Sequence, residues 1–205
     1  MTFYTWFQLS IVCLLGAMSP GPSVVLIISN TISKNRINGI ITSIGHGLGV
    51  TLYALFAILG LEFLIKTYYN IFIGFQILGS IFLILIGLNF LLNKKVNNID
   101  EEVNDKIMLS NSFLQGFMIA FLNPKILVFF AALFSQFINV NANIFERILL
   151  VLTPGIIDTI WYIFISISVT SFKIKNFIFD KKNILEKLMG LLLILVALTI
   201  LLRMF

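Results

Sequence analysis

Two charged side chains stand inside otherwise apolar stretches of this chain. Phe121–Phe130, FLNPKILVFF, carries Lys125, and Thr153–Tyr162, TPGIIDTIWY, carries Asp158. A charge at the centre of a bilayer costs roughly 2.5–3.5 kcal/mol on insertion scales, so neither is expected to face lipid. A Lys125–Asp158 pair, direct or bridged by water, can exchange protons or be split by a zwitterion as it binds. The same pair can also serve only to fix helix packing. Asn123, two residues before Lys125, offers an amide suited to a carboxylate or an exposed backbone group. His46 is the single histidine of the sequence. An imidazole ordinarily changes charge near neutral pH, although a hydrogen-bonded packing histidine is the plainer role. Asp158, Lys125 and His46 are therefore the candidate ion-coupling residues.

The prolines supply a second set of candidates. LLGAMSPGPSVVLI (Leu14–Ile27) is uncharged and apolar at both ends, yet holds Pro20, Gly21 and Pro22 in its middle. Pro124 interrupts the stretch that carries Lys125. Proline removes a backbone donor and clashes with the preceding turn, at about 3 kcal/mol inside a helix. Helices broken at such points expose carbonyls and half-helix N-termini that can hold the two poles of a zwitterion. Kinks that serve packing alone are the plainer alternative. Pro20, Gly21, Pro22, Asn123, Pro124 and Lys125 are the candidate substrate-binding residues. GIITSIGHGLGV (Gly39–Val50) has Gly45 and Gly49 at one helical spacing and Gly39, Ser43 and Gly47 at another. Small residues four apart let membrane helices approach closely, which makes these five packing positions.

The elements that must hold these residues are membrane helices. Of the 205 residues 59% are hydrophobic and only 11% charged, against about 25% charged in soluble domains. Charges are absent from residues 1–33, 37–61, 67–93, 107–124 and 126–145, and about 20 apolar residues cross a hydrocarbon core. Hydropathy and charge together predict six helical spans, roughly 7–28, 39–61, 70–92, 113–136, 148–171 and 186–203. Lysine and arginine collect in the first, third and fifth connections. That places these loops in the cytoplasm and both termini outside, in a multi-pass protein of the cell membrane. The polar stretch KKVNNIDEEVND, within a cytoplasmic linker of about 94–111, divides a single transporter domain (1–205) into halves of about 1–93 and 112–205. A shift of 104 residues lays Pro20 on Pro124, and a shift of 111 lays Gly79 on Gly190. Three spans per half invert the second half relative to the first. The expected fold is all-α: six transmembrane helices as two three-helix inverted repeats, the first and fourth broken at Pro20 and Pro124 near the midplane, where transporter sites lie.

Composition argues against several classes. One cysteine allows no internal disulfide, and no Cys/His cluster suggests a metal. One His and one Cys leave little material for haem ligands, a redox pair or a nucleophile constellation, so neither an enzyme nor a cofactor is expected. The net charge of +5 comes from lysines dispersed among loops, which is not a nucleic-acid footprint. The first segment lacks a basic start and a small-residue cleavage pattern, and reads as a retained span.

SPGPS (Ser19–Ser23), a basic loop leading into a glycine-rich second span, and LNPK (Leu122–Lys125) in the fourth span resemble the LysE/RhtB family of amino-acid exporters. The resemblance runs over nearly the whole chain. It implies efflux of amino acids, driven by the proton gradient, with Pro20, Gly21, Pro22, Asn123, Pro124 and Lys125 as the motif residues. Residues 37–61 contain no acid, unlike the second span of the lysine-exporting branch. This favours a neutral substrate such as threonine, homoserine or leucine. Expected partners are the amino acid, protons and the lipid bilayer; small-residue spacing is also compatible with a homodimer. A cadmium-type heavy-metal efflux transporter and a non-transporting scaffold subunit are the alternatives.

Overall fold

The computed structural model describes residues 1–19, 21–92, 111–139 and 141–169, with scattered positions between 184 and 202. Pro20, residues 94–110 of the linker and half of the sixth predicted span lie outside the described residues, as do the side chains of Pro124 and Lys125. Among the described residues the chain is helical, without strands. Helices α1 (Phe3–Met18) and α2 (Pro22–Ser33) meet at an angle of 62°. They are followed by α3 (Arg36–Thr67), α4 (Tyr69–Leu92), α5 (Ser112–Phe121), α6 (Pro124–Phe137) and α7 (Ile144–Ser168). With 32 and 25 residues, α3 and α7 are each long and apolar enough to cross a membrane, and bent α1–α2 makes a third such unit.

Local chemistry sets the starts of these helices. The side chains of Asn35, Asn111 and Asn143 each accept a backbone N–H in the first turn of α3, α5 and α7, and Glu146 completes a capping box at Asn143. The interruptions follow from proline's missing donor. In an unbroken helix residues 20 and 124 would bond the carbonyls of Gly16 and Ala120. Instead the preceding residue takes each carbonyl: Ser19 N–H donates to Gly16 at 3.2 Å, and Asn123 N–H donates to Ala120 at 3.2 Å. The two breaks thus solve one backbone problem in one way, at positions 104 residues apart.

The bundle is arranged around α3. Its exposed face is an apolar stripe of Ile37, Ile41, Ile44, Leu48, Phe56, Leu59 and Phe63, and α7 shows a similar stripe of Ile148, Leu152, Ile156, Ile160 and Phe164. Inward faces carry small and polar residues, the pattern expected where lipid surrounds the bundle. On one flank Gly45 lies against the Phe113 carbonyl while Gly116 of α5 lies against the Thr42 carbonyl, and Gly49 sits on Ala120. On the other, a Cβ at Gly47 would stand 2.8 Å from the Gly155 carbonyl, and one at Gly155 would stand 2.8 Å from the Gly47 carbonyl. Gly39 approaches Thr31 and Ser166, and Ser43 Oγ lies 3.4 Å from Ser166 Oγ. The glycine-rich segment therefore presents one spacing to α5 and the other to α2 and α7.

The second predicted span is longer than its uncharged stretch. Helix α3 continues to Thr67 and takes in Glu62, which is buried and accepts a 2.9 Å bond from the Arg147 guanidinium. The span boundary set by charge alone fell short because this pairing lets an acid remain within a helix packed at its far end.

Candidate functional site

A cavity of about 90 Å³ opens where both helix breaks face α3 and α7. Ser19, Gly21, Pro22 and Ser23 line it from the first break, and Asn123 from the second. His46 and Asp158 form its polar floor, and Cys13, Val50, Phe129 and Phe130 are among its apolar walls. Counted from Ser33, Arg36 and Ser168, residues Ser23, His46 and Asp158 each lie about ten residues along their helices, roughly 15 Å from that end. The three groups therefore share one level of the bundle.

His46 is the centre of the floor. Its Nδ1 lies 2.6 Å from Asp158 Oδ2, and its Nε2 lies 2.8 Å from Ser23 Oγ. The Tyr162 ring stands edge-on to the imidazole with centroids 4.8 Å apart. His46, Asp158, Ser23 and Tyr162 are all buried. The arrangement is satisfied in either charge state of the imidazole. When the ring is neutral with Nδ1–H toward the carboxylate, Nε2 accepts the Ser23 hydroxyl proton. When it is protonated, Nε2–H donates to Ser23 Oγ, whose own hydrogen turns elsewhere. A proton can therefore enter or leave without orphaning a buried polar atom, the condition that makes such networks costly when broken.

The breaks are held from behind. Tyr53 Oη donates to the Phe121 carbonyl at the end of α5, and its ring stacks on Phe121 at 5.4 Å. Trp6 Nε1 donates to Thr153 Oγ1 at 3.0 Å, tying α1 to α7 beside Pro154. Helix α2 begins at Pro22 after Gly21, which gives no side-chain cap.

Of the sequence candidates, Gly21, Pro22, Asn123, His46 and Asp158 come together at this cavity. Asp158 is partnered here by His46; Lys125 begins α6 next to the break, with its side chain outside the described residues. The five small residues Gly39, Ser43, Gly45, Gly47 and Gly49 lie in helix contacts, none of them on the cavity wall. Ser23 and Tyr162 were missed by a search for charged groups. Ser23 stood within the SPGPS motif, and Tyr162 one helical turn after Asp158 was the available signal.

Membrane-length helices with a buried polar floor between two interrupted helices are compatible with a solute translocator. The sequence matches the LysE type translocator family over residues 14–204, and the chain belongs to that family. It is 28% identical over 186 residues to the uncharacterized membrane protein YrhP of Bacillus subtilis (strain 168), covering 85% of this chain and 88% of that protein. It is 27% identical over 150 residues to the threonine efflux protein of Escherichia coli (strain K12), covering 72% of this chain and 71% of that one. An uncharacterized membrane protein of Haemophilus influenzae is 26% identical over 162 residues, 77% of each chain. No solved structure matches the chain significantly. The protein is thus a multi-pass membrane translocator, and its relatives support the export of amino acids or similar solutes.

Proposed function

We propose that this protein exports neutral amino acids in exchange for protons, binding both at the His46–Asp158 floor. The observation that carries the reading is the convergence of two proline breaks on one buried, protonatable group. With Asp158 ionised and His46 neutral, the floor bears one negative charge and attracts the ammonium of a zwitterion. The carboxylate pole meets the uncapped start of α2 and the Asn123 amide, a helix N-terminus and a donor suited to an anion. A proton taken by the pair cancels the negative charge and releases the ammonium, so proton and substrate compete for one site. That competition is the basis of exchange.

The walls favour an uncharged side chain. Beyond the His46–Asp158 pair, the described lining carries no acidic or basic side chain, and Glu62 lies outside it. Threonine, homoserine and leucine fit this chemistry, and the threonine efflux relative points the same way. By its place in the LNPK motif beside the second break, Lys125 is proposed as a further binding residue.

The matched breaks also support two inverted halves and six spans. The first half has a 16-residue helix before its break and 12 residues after, and the second has 10 before and 14 after. Read with both termini outside, the shorter pieces, α2 and α5, lie on the cytoplasmic side and the longer ones on the outer side.

The reading is tested by efflux from proteoliposomes loaded with a labelled amino-acid mixture, with and without an imposed pH gradient. One or a few neutral amino acids are expected to leave faster under the gradient, while lysine and arginine stay. Cationic amino acids as the preferred cargo, or no movement under any gradient, would refute it.

A further inference from the structure

The cavity reaches no further along α2 than Ser23, and no further along α3 and α7, toward their Lys34-bearing end, than His46 and Tyr162. Among the described residues, two layers of contacts lie between this floor and the end of the bundle that carries Lys34. The first is apolar: Val24, Ile27 and Ile28 of α2 close on Tyr162, Ile165 and Val169. The second is polar and joins α2 to α5 and α3. Asn30 Nδ2 donates to Gln115 Oε1 at 2.7 Å and to Thr42 Oγ1 at 2.9 Å. Lys34 Nζ donates to the same Gln115 oxygen at 3.2 Å and to Ser112 Oγ at 3.2 Å, and Ser112 in turn donates to Asn38 Oδ1 at 2.8 Å. Asn30 and Gln115 are buried.

We infer that the Asn30–Gln115–Lys34 cluster is the latch of a cytoplasmic gate, and that α2 is the gate itself. Three features set α2 apart as a moving part. It is a 12-residue rod separated from α1 by a 62° break. Its pivot, Gly21, has open space around it, with nothing within 4 Å of a Cβ built there. Its far end is held to α5 by side-chain hydrogen bonds and meets α3 at the Gly39–Thr31 contact, whereas backbone-to-backbone glycine contacts clamp α3 to α5 and α7. Hydrogen bonds between amides can be exchanged for water as a gap opens, whereas interlocked backbones cannot separate by degrees. Moving α2 away from α5 and α7, about Gly21 at one end and the Lys34–Asn35 connection to α3 at the other, breaks the latch, parts the apolar layer and bares Ser23 and His46 to the cytoplasm. The structure is then the state closed on that face.

The inference builds on the transport reading, yet its test needs no substrate. Cys13 is the only cysteine in the sequence and lines the cavity, so the native protein carries its own reporter. A membrane-impermeant methanethiosulfonate is applied to inside-out and right-side-out vesicles, and Cys13 labelling is followed in time. Asn30→Ala removes two bonds of the net strength usual for hydrogen bonds, which is expected to speed labelling from the cytoplasmic face on the order of tenfold. Labelling from the outer face should stay at the wild-type rate. The exchange Asn30→Gln with Gln115→Asn keeps both amides and should return protection toward wild type. Lys34→Met, at the partly exposed end, gives a milder version should Asn30→Ala fail to fold. Unchanged labelling in folded variants, or an equal rise from both faces, would overturn the gate. A working gate in a protein that moves no amino acid would instead retire the transport reading alone.

Discussion

Asp158→Asn is expected to abolish the stimulation of efflux by a pH gradient while the protein remains folded. Asparagine keeps the size of the carboxylate and can still hydrogen-bond His46 Nδ1, now 2.6 Å from Asp158 Oδ2. The exchange of a charge-assisted bond for a neutral one should lower stability by only about 1 kcal/mol. What it removes is the negative charge that draws an ammonium and that a proton cancels. Efflux down a concentration gradient should persist weakly and become indifferent to pH. The check is a pair of measurements on one preparation: gradient-dependent efflux and thermal unfolding in detergent. A pair that only fixes helix packing would give the opposite pattern, with a large loss of stability and gradient stimulation retained in whatever protein folds.

The second large effect is expected at a position that never touches the cavity. Gly47→Val should destabilise the fold by about 1–3 kcal/mol or more and suppress transport with it. A Cβ there meets the Thr159 hydroxyl and stands 2.8 Å from the Gly155 carbonyl, a backbone atom that cannot rotate away. Relief requires α3 and α7 to separate, and His46 and Asp158 sit on those two helices at the same level. Gly60→Ala is the control on the same helix. Nothing lies within 4 Å of a Cβ at Gly60, so alanine there should add roughly 0.5–1 kcal/mol through helix propensity and leave transport unchanged. Melting temperatures of the two variants against the wild type decide it; equal shifts would mean the α3–α7 contact is looser than the structure shows.

The parts of this arrangement that were legible in the sequence are those written in local chemistry. Proline's missing donor dictates a break wherever it falls, so the interruptions at residues 20–22 and 124 could be read without a structure. Small residues at fixed helical spacing could be assigned to two faces of one helix for the same reason. Partnership between helices is not local. Asp158 lies at a depth that admits either Lys125 or His46, and the sequence offered the charge complement first. Which one meets it depends on helix rotation, set by the glycine contacts of α3 on α7 rather than by any spacing near Asp158.

Neutral polar residues were the signal passed over. Gln115 sits in a predicted span and Asn30 just beyond the end of one, and neither carries a charge, although a buried amide needs partners as surely as a charge does. Ser23 was hidden in the same way, inside a motif noted for its prolines. The end of α3 was misplaced because Glu62 was read as a boundary, whereas its pairing with Arg147 keeps it within the helix.

The central claim is that proton and amino acid compete for one floor, and it is tested most directly by reversing the direction of work. Proteoliposomes are loaded with threonine at equal pH inside and out, with the membrane potential clamped by potassium and valinomycin, and lumenal pH is followed with a trapped dye. Outward threonine flow is expected to acidify the lumen in the wild type and to leave it unchanged in Asp158→Asn. Threonine efflux with no acidification, or the same acidification in both proteins, would contradict the account.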